Sequence, residues 1–297
     1  MLLRLLILYQ IMPELPEVET IKRELKKSLL GKKIAQVKIL SAKQFVGRLD
    51  KIIGARVIDV WRQAKLLGIE LNNGFTVLTH LKLTGQLVFV ANQKTSAVVK
   101  MPHPLPFADN KLPGKTTRII IKFEDGSRLF FNDLRKFGWM KVVENRKLKA
   151  ENLLYGPEPL EKSFTLDYLK NIFAKTRRAI KIVLMDQTKI AGLGNIYANE
   201  ALFKAGIDPR RPANTLKEGE IRALKEAIVS ILKEAIKDRG TSAADDAYIQ
   251  VNARPGGYQK KLKVYQREGQ PCFRCHYPIQ RIKLGGRSAF FCPHCQK

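Results

Sequence analysis

The chain has 297 residues, 45% of them apolar, and carries 54 Lys and Arg against 27 Asp and Glu, a formal charge of +27. Its length and apolar content place it among globular chains with room for two cored domains. The cations are spread over both halves, 28 basic and 12 acidic side chains in residues 1–150 and 26 and 15 in residues 151–297, which excludes a detachable basic tail and suits a polyanion, nucleic acid above all. No long basic amphipathic helix supports an anionic membrane surface as the alternative, so no membrane partner is expected.

In chain order, residues 1–11, MLLRLLILYQI, are too short to span a bilayer and lack the small-residue site of a signal peptide; Pro13 and Glu14 follow at once. Residues 16–30 predict a helix. Pro16 suits its first position, Glu17 and Glu19 suit the positive end of the dipole, and Val18, Ile21, Leu25 and Leu29 mark one apolar face before Gly31. Helix-start chemistry is enough to explain Glu19.

From 32 to 143 the pattern becomes short β-rich runs (KKIAQVKIL, GARVIDVW, LLGIELNNGFTVLTHL, GQLVFV, RIIIKFEDGSRLFF, GWMKVV), with hairpin turns at Asn72-Asn73-Gly74 and Glu124-Asp125-Gly126. Such a series predicts a sandwich or barrel. Residues 92–116, with Pro102, Pro104, Pro106 and Pro113, read as a long surface loop, and the polar stretch 146–162 as an interdomain linker. Helical periods follow at about 164–175, 179–187, 195–205 and 217–238, interrupted by AGLGN and GIDPRRPAN; residues 240–263 are loop-like.

All four cysteines close the chain as C-x2-C-x16-C-x2-C: Cys272, Cys275, Cys292 and Cys295. This is the spacing of a four-thiolate zinc site, two knuckles joined by a β-hairpin. Four thiolates leave no coordination position for a catalytic water, so the expectation is one structural Zn2+. His276 and His294 adjoin cysteines and are read as bystanders. Arg274, Arg281, Lys283 and Arg287 would press cations against a phosphate backbone.

PELPEVE before a helix, AK in RQAKLLGIEL, DLRKFG, LMDQTKIAGLGNIYANEALFKAGIDP and the terminal cysteine motif together resemble bacterial formamidopyrimidine-DNA glycosylase, within the endonuclease VIII superfamily, from Met12 to Lys297. The resemblance implies an α+β protein of two domains. An N-terminal β-sandwich with an N-terminal helix would occupy residues 13–145, a helix-two-turn-helix domain with a lesion loop 163–263, and a zinc finger 264–297, with the linker at 146–162. It implies base-excision repair by a bifunctional glycosylase and lyase that removes oxidised purines such as 8-oxoguanine and formamidopyrimidines, then cleaves the strand by β,δ-elimination. The implied partner is double-stranded DNA containing an oxidised base, and the protein would be a monomer, cytoplasmic and nucleoid-associated.

The family's nucleophile is an N-terminal proline, here Pro13. A lysine near pKa ~10.4 is almost wholly charged at neutral pH, whereas a terminal amine near ~8 leaves about a tenth free. With residues 1–12 attached that nitrogen is an unreactive amide, so translation is expected to start at Met12 and residues 1–12 to be a non-native extension. By the same resemblance Glu14 is the acid that opens the sugar ring, Lys65 contacts phosphate and takes part in β-elimination, and Arg287 holds the lesion phosphate for δ-elimination. Glu17 either organises the terminus or supports the helix start. Arg135 and Phe137 match two of the side chains that fill the gap left by an everted nucleotide; Leu83 stands where methionine is usual. Thr116-Thr117 replace a frequent histidine, which puts one phosphate contact in doubt. Asn195 is a phosphate contact at a helix start, and Lys181 a weaker one. The lesion-loop region 241–258 resembles the family too little to assign base contacts. The alternatives are an endonuclease VIII-like enzyme for oxidised pyrimidines, and a non-catalytic zinc-finger DNA-binding protein if residues 1–12 are retained.

Overall fold

The computed structural model describes residues 12–92, 99–100, 111–148, 155–242 and 248–297. Most of the loop expected at 92–116, the leading eleven residues and part of the lesion loop lie outside the described residues. Two units divide the chain: the described residues within Met1–Leu153 and Asp238–Gln259 form one, and those within Leu154–Lys237 and Lys260–Lys297 the other.

The first unit begins with helix α1 (Leu15–Leu29), which opens on an extended Glu14 and carries Pro16 in its first turn. Val18, Ile21, Leu25 and Leu29 are buried as the period requires; full burial of such side chains contributes about 1.5–3 kcal/mol each. Two sheets follow. One pairs β1 (Ile34–Ile39), β9 (Thr117–Phe123), β10 (Arg128–Asp133) and β6 (Gly85–Val90) in that order; the other orders β2 (Phe45–Val46), β11 (Trp139–Glu144), β5 (Phe75–His80), β4 (Leu66–Leu71) and β3 (Val57–Gln63). A short pair, β7 (Val99–Lys100) and β8 (Lys111–Leu112), lies apart. Both expected turns are present, with Gly74 and Gly126 at φ 81° and 83°.

Strand alternation decides which face each side chain serves. Ile119, Ile121 and Phe123 of β9, with Leu129 and Phe131 of β10, join Val60, Leu67, Ile69, Val77 and Met140 of the other sheet and the apolar face of α1 in one core. Ile120 and Phe130 point the opposite way, to a smaller cluster with Val88, Val90 and Leu112.

The second unit holds α2 (Leu166–Ala174), α3 (Ile180–Leu184), α4 (Asn195–Ala205) and α5 (Glu218–Lys237), then the hairpin β12 (Gln280–Leu284) and β13 (Arg287–Phe291). Thr165 caps α2 by accepting from the Tyr168 N–H at 3.1 Å, and Gly206 ends α4 at φ 72°. Two boundaries differ from the sequence reading. Residues from 155 onward, expected as linker, pack in this unit: Gly156 N–H donates to the Gln187 carbonyl at 2.9 Å, and a Cβ at Gly156 would lie 2.3 Å from the Lys189 carbonyl oxygen. Asp238–Gln259, expected with the helical domain, instead belong to the first unit. There Tyr248 and Val251 enter the sandwich core, a burial no local pattern announces.

Candidate active site and metal centre

Pro13 and Glu14 are buried at the start of α1, and Glu14 is only 2% exposed. The Glu17 carboxylate organises this end from one turn away. Its Oε2 accepts the Glu14 N–H at 2.9 Å and its Oε1 the Thr241 N–H at 2.7 Å. Glu17 therefore does more than start a helix; it ties the chain beside Pro13 to the segment 238–242. Gly240, at φ 82°, allows that approach, since a Cβ there would lie 2.9 Å from Glu17 Oε1.

Glu19 also exceeds helix-start chemistry. Arg23 reaches its Oε1 at 2.7 Å, and Arg62 of β3 reaches its Oε2 at 3.1 Å. Although burial works against it, these guanidinium contacts hold the Glu19 carboxyl below its ordinary range. Arg62 also donates to the Ala64 carbonyl at 3.0 Å, so one side chain joins α1 to the turn carrying Lys65. That lysine lies in the two-residue turn between β3 and β4, buried, after Ala64 at φ 52°.

Leu66, the next residue, pairs with His80 of β5. Burial, reinforced by Lys82 and Lys65, pushes the His80 imidazole down to about 3, so it is neutral near pH 7, and its Nδ1 accepts the Lys82 N–H at 3.0 Å. Sequence reasoning missed His80; HLKLTG marks a strand end with nothing to single out the histidine.

Leu83 occupies the turn between β5 and β6, and Arg135 and Phe137 the turn between β10 and β11. The two turns are joined. Arg135 N–H donates to Thr84 Oγ1 at 3.0 Å; the Thr84 hydroxyl bonds the buried Asp133 carboxylate, which also accepts from Gly138 N–H at 2.7 Å and Gln44 Nε2 at 2.9 Å. Asp133 opens the DLRKFG motif, but Thr84 and Gln44, polar and far from it in the chain, carried no signal as its partners. Phe137 is 53% exposed, with the Arg135 guanidinium 5.1 Å from its ring centre. Thr116 and Thr117, in contrast, are buried, and Thr117 donates to Asn132 at 2.8 Å, holding β9 to β10.

In the second unit, Asn195 opens α4 after an extended Gly194. Gln187 shapes the preceding turn, accepting from Gly192 N–H at 2.9 Å and donating to the Leu193 carbonyl at 2.7 Å. Such a helix start suits an anion. Lys181 is 1% exposed, and its Nζ donates to the Ser288 carbonyl at 2.7 Å, next to Arg287. This contact makes it a brace for the strand that bears Arg287. Arg287, Lys181 and Arg178 line a cavity of about 400 Å³ with Asp186 and Leu284.

The four cysteine sulfurs lie within 4.8 Å of one another, with Cys272 to Cys295 at 3.9 Å and Cys275 to Cys292 at 3.4 Å. Zn–S bonds of about 2.3 Å in a tetrahedron place sulfurs roughly 3.8 Å apart, so the residues fit zinc. Without a cation the sulfurs shift apart: burial and the neighbouring sulfurs push the Cys295 thiol up to about 12, while against its burial the N–H groups of Arg274 and Cys275 bring Cys272 down to about 7; a divalent cation would favour the thiolate form of all four. Glu200, buried in α4, accepts the N–H groups of Lys263, Val264 and Tyr265 at 2.8–3.0 Å and holds the entry to this segment. His294 stacks on Tyr277.

Three family models match in sequence order: the formamidopyrimidine-DNA glycosylase N-terminal domain over residues 12–140, its H2TH domain over 155–246, and a zinc finger found in FPG and IleRS over 269–297. The formamidopyrimidine-DNA glycosylase of Pelotomaculum thermopropionicum is 41% identical over 293 residues, spanning 96% of this chain and 99% of that protein. Among solved structures, a Lactococcus lactis FPG mutant in complex with Fapy-dG containing DNA superposes with a TM-score of 0.84, and the Lactococcus lactis Fpg complex with abasic site containing DNA with 0.83. Each is 32% identical and spans 96% of this chain and 99–100% of the other. Among the described residues, no helix is long and apolar enough to cross a membrane. With both domains and a four-cysteine zinc site in family order over nearly its whole length, this chain is a DNA-repair enzyme of the formamidopyrimidine-DNA glycosylase family, a base-excision glycosylase carrying one structural zinc.

Proposed function

We propose that the chain excises oxidised purines, 8-oxoguanine and formamidopyrimidines, from duplex DNA and then cleaves the strand, with Pro13 as nucleophile once it is the first residue. The observation that carries this reading is the Glu17 carboxylate fixing Glu14 beside Pro13 from one side and Thr241 from the other. The region matched by the N-terminal family model starts at residue 12, which supports Met12 as the initiator.

The Pro13 secondary amine attacks C1′ of the damaged nucleotide and the bond to the base breaks. Glu14 protonates O4′, the ring opens, and the positive imine left on Pro13 draws electrons from C2′ as its proton is removed. The 3′ phosphate leaves by β-elimination and the 5′ phosphate by δ-elimination. Lys65 serves the first departure and Arg287 stabilises the second leaving phosphate. Reaching C1′ requires everting the nucleotide, at a cost of a few kcal/mol; Phe137 and Leu83 fill the gap and Arg135 donates to the orphaned base. Asn195 holds backbone phosphate at its helix start, and Lys181 acts through the Arg287 strand. Such an enzyme works as a monomer in the cytoplasm, on the nucleoid.

Borohydride trapping tests the reading on two proteins, one beginning at Pro13 and one retaining residues 1–12. Expected is a covalent adduct with an 8-oxoguanine:cytosine duplex from the first alone. No adduct from the first would sink the nucleophile assignment. Preferential trapping on a thymine glycol duplex would move the substrate to oxidised pyrimidines, and binding without adduct from either protein would leave a non-catalytic DNA-binding role.

A further inference from the structure

The segment after 247 does not lie loosely on the first unit; it straddles the exposed edge of a sheet. β6 is the last strand of its sheet. Val251 caps that edge, its carbonyl accepting the Phe89 N–H at 3.0 Å. Tyr248 and Val251 go to the inner face, into the core with Val18, Ile21 and Leu25. Ile249 and Ala253 go to the outer face, with Val88, Val90 and Phe130.

One hydrogen-bonding group in this arrangement needs a partner from elsewhere. The Val251 N–H faces away from β6, toward α1, where Glu24 Oε2 accepts it at 2.8 Å. Glu24 lies seven residues after Glu17, two turns along the same helix. The helix therefore holds the segment 238–259 at two points, Thr241 by Glu17 at the catalytic end and Val251 by Glu24 further on. Burial pushes the Glu24 carboxyl above its ordinary range, and that N–H, with nearby Arg239 and Lys27, works against the rise. Ser242 and Tyr248 are joined as well, Ser242 Oγ donating to the Tyr248 carbonyl at 2.6 Å, which gives the Val251 end of the segment a direct link to the residue next to Thr241.

We propose that Glu24 is a positioning residue for base excision: by fixing Val251 it sets where Thr241 and Ser242 stand beside the catalytic end of α1, and so how an everted base is held. The proposal rests on the reading that the chain excises an oxidised base. Pro13 and Glu14 keep their places without this clasp, because Glu14 N–H stays on Glu17 within one helical turn. An abasic sugar has no base to hold. Loss of Glu24 therefore separates two steps that share the same nucleophile.

The test uses the full protein beginning at Pro13, with Glu24→Ala, Glu24→Asp and Glu24→Gln. Single-turnover excision of 8-oxoguanine and incision of a pre-formed abasic site are measured in the same duplex context, and hydrogen exchange is followed at the Val251 amide. Expected for Glu24→Ala is a fall of about tenfold or more in excision, abasic incision within about twofold, and faster exchange at Val251. Glu24→Asp, which keeps the charge but withdraws the acceptor by one methylene, behaves like Ala; Glu24→Gln, which keeps the acceptor, restores excision and protection. Equal losses on both substrates, or excision unchanged in Ala and Asp, overturn the proposal. Wild-type protein inactive on both substrates would instead overturn the functional reading, and the exchange at Val251 in the three variants would then decide the clasp by itself.

Discussion

The start of α1 and the zinc hairpin both place charged groups with care, and they do so by opposite means. At α1 the positions come from the protein's own backbone: buried carboxylates each collect N–H groups, and Arg62 ties Glu19 to the turn before Lys65. The hairpin is only five residues a side, with a two-glycine turn at Gly285-Gly286, and its knuckles converge on four sulfurs. A segment that small buries too little apolar surface to hold itself, so a metal supplies what packing cannot. The difference teaches that the first region should be able to lose its chemistry and keep its fold, while the second should lose its shape with its metal.

The largest effect should come from breaking the metal side. Apparent binding energies of structural zinc sites are about 10–16 kcal/mol. Cys292→Ala should release zinc by elemental analysis and unfold residues 264–297 by hydrogen exchange, with the first unit's core amides still protected; a hairpin that stays protected without zinc would erase the contrast. The complementary break is Glu14→Gln. Removing the proposed ring-opening acid should lower imine trapping and strand cleavage by about 10²–10⁴ at saturating enzyme, and the melting temperature should hold, because Glu14 N–H still reaches Glu17. A matching loss of stability would mean that Glu14 is structural.

Acid sharpens the comparison within the first unit. His80 is held neutral in the fold, down to about 3 from an ordinary 6.5. The unfolded chain therefore binds the extra proton between those values. The contribution is complete above pH 6.5 and is lost as pH falls toward 3, with a slope of about 1.4 kcal/mol per unit. His80→Gln should flatten the slope of denaturant stability against pH in that window; an unchanged slope would place the acid sensitivity elsewhere. The smallest effect is expected at Phe137, which is 53% exposed. Phe137→Ala should leave melting unchanged and weaken binding of lesion duplex by about 1–3 kcal/mol, the worth of one stacking side chain by alanine substitution. A drop in stability instead would show the ring packs on its own protein.

Much of this molecule was legible locally. GQLVFV and NIYANEALFKA became elements with the expected bounds, because a period of two or of nearly four residues reports the face to be buried, whatever else the chain does. The zinc ligands were legible for the same reason, each pair being complete within four residues. The polar supports were not. Asp133 gathers Gln44, Thr84 and Gly138, and Glu24 meets Val251 across 227 residues. A buried carboxylate and a surface one look alike in sequence, since the partners that make burial tolerable are chosen only when distant strands come together.

By itself, then, the sequence determined the element types, the four zinc ligands and the family motifs that nominate Pro13, Glu14, Lys65 and Arg287, all of them matters of short-range spacing and residue chemistry. Only the tertiary structure decided that Glu17 has two partners, that Lys65 sits in a turn, that Lys181 braces a strand, and that residues 238–259 belong with the sandwich. Those outcomes depend on which N–H groups and apolar faces remain unmatched after the local elements form, and only contacts between remote parts of the chain can match them.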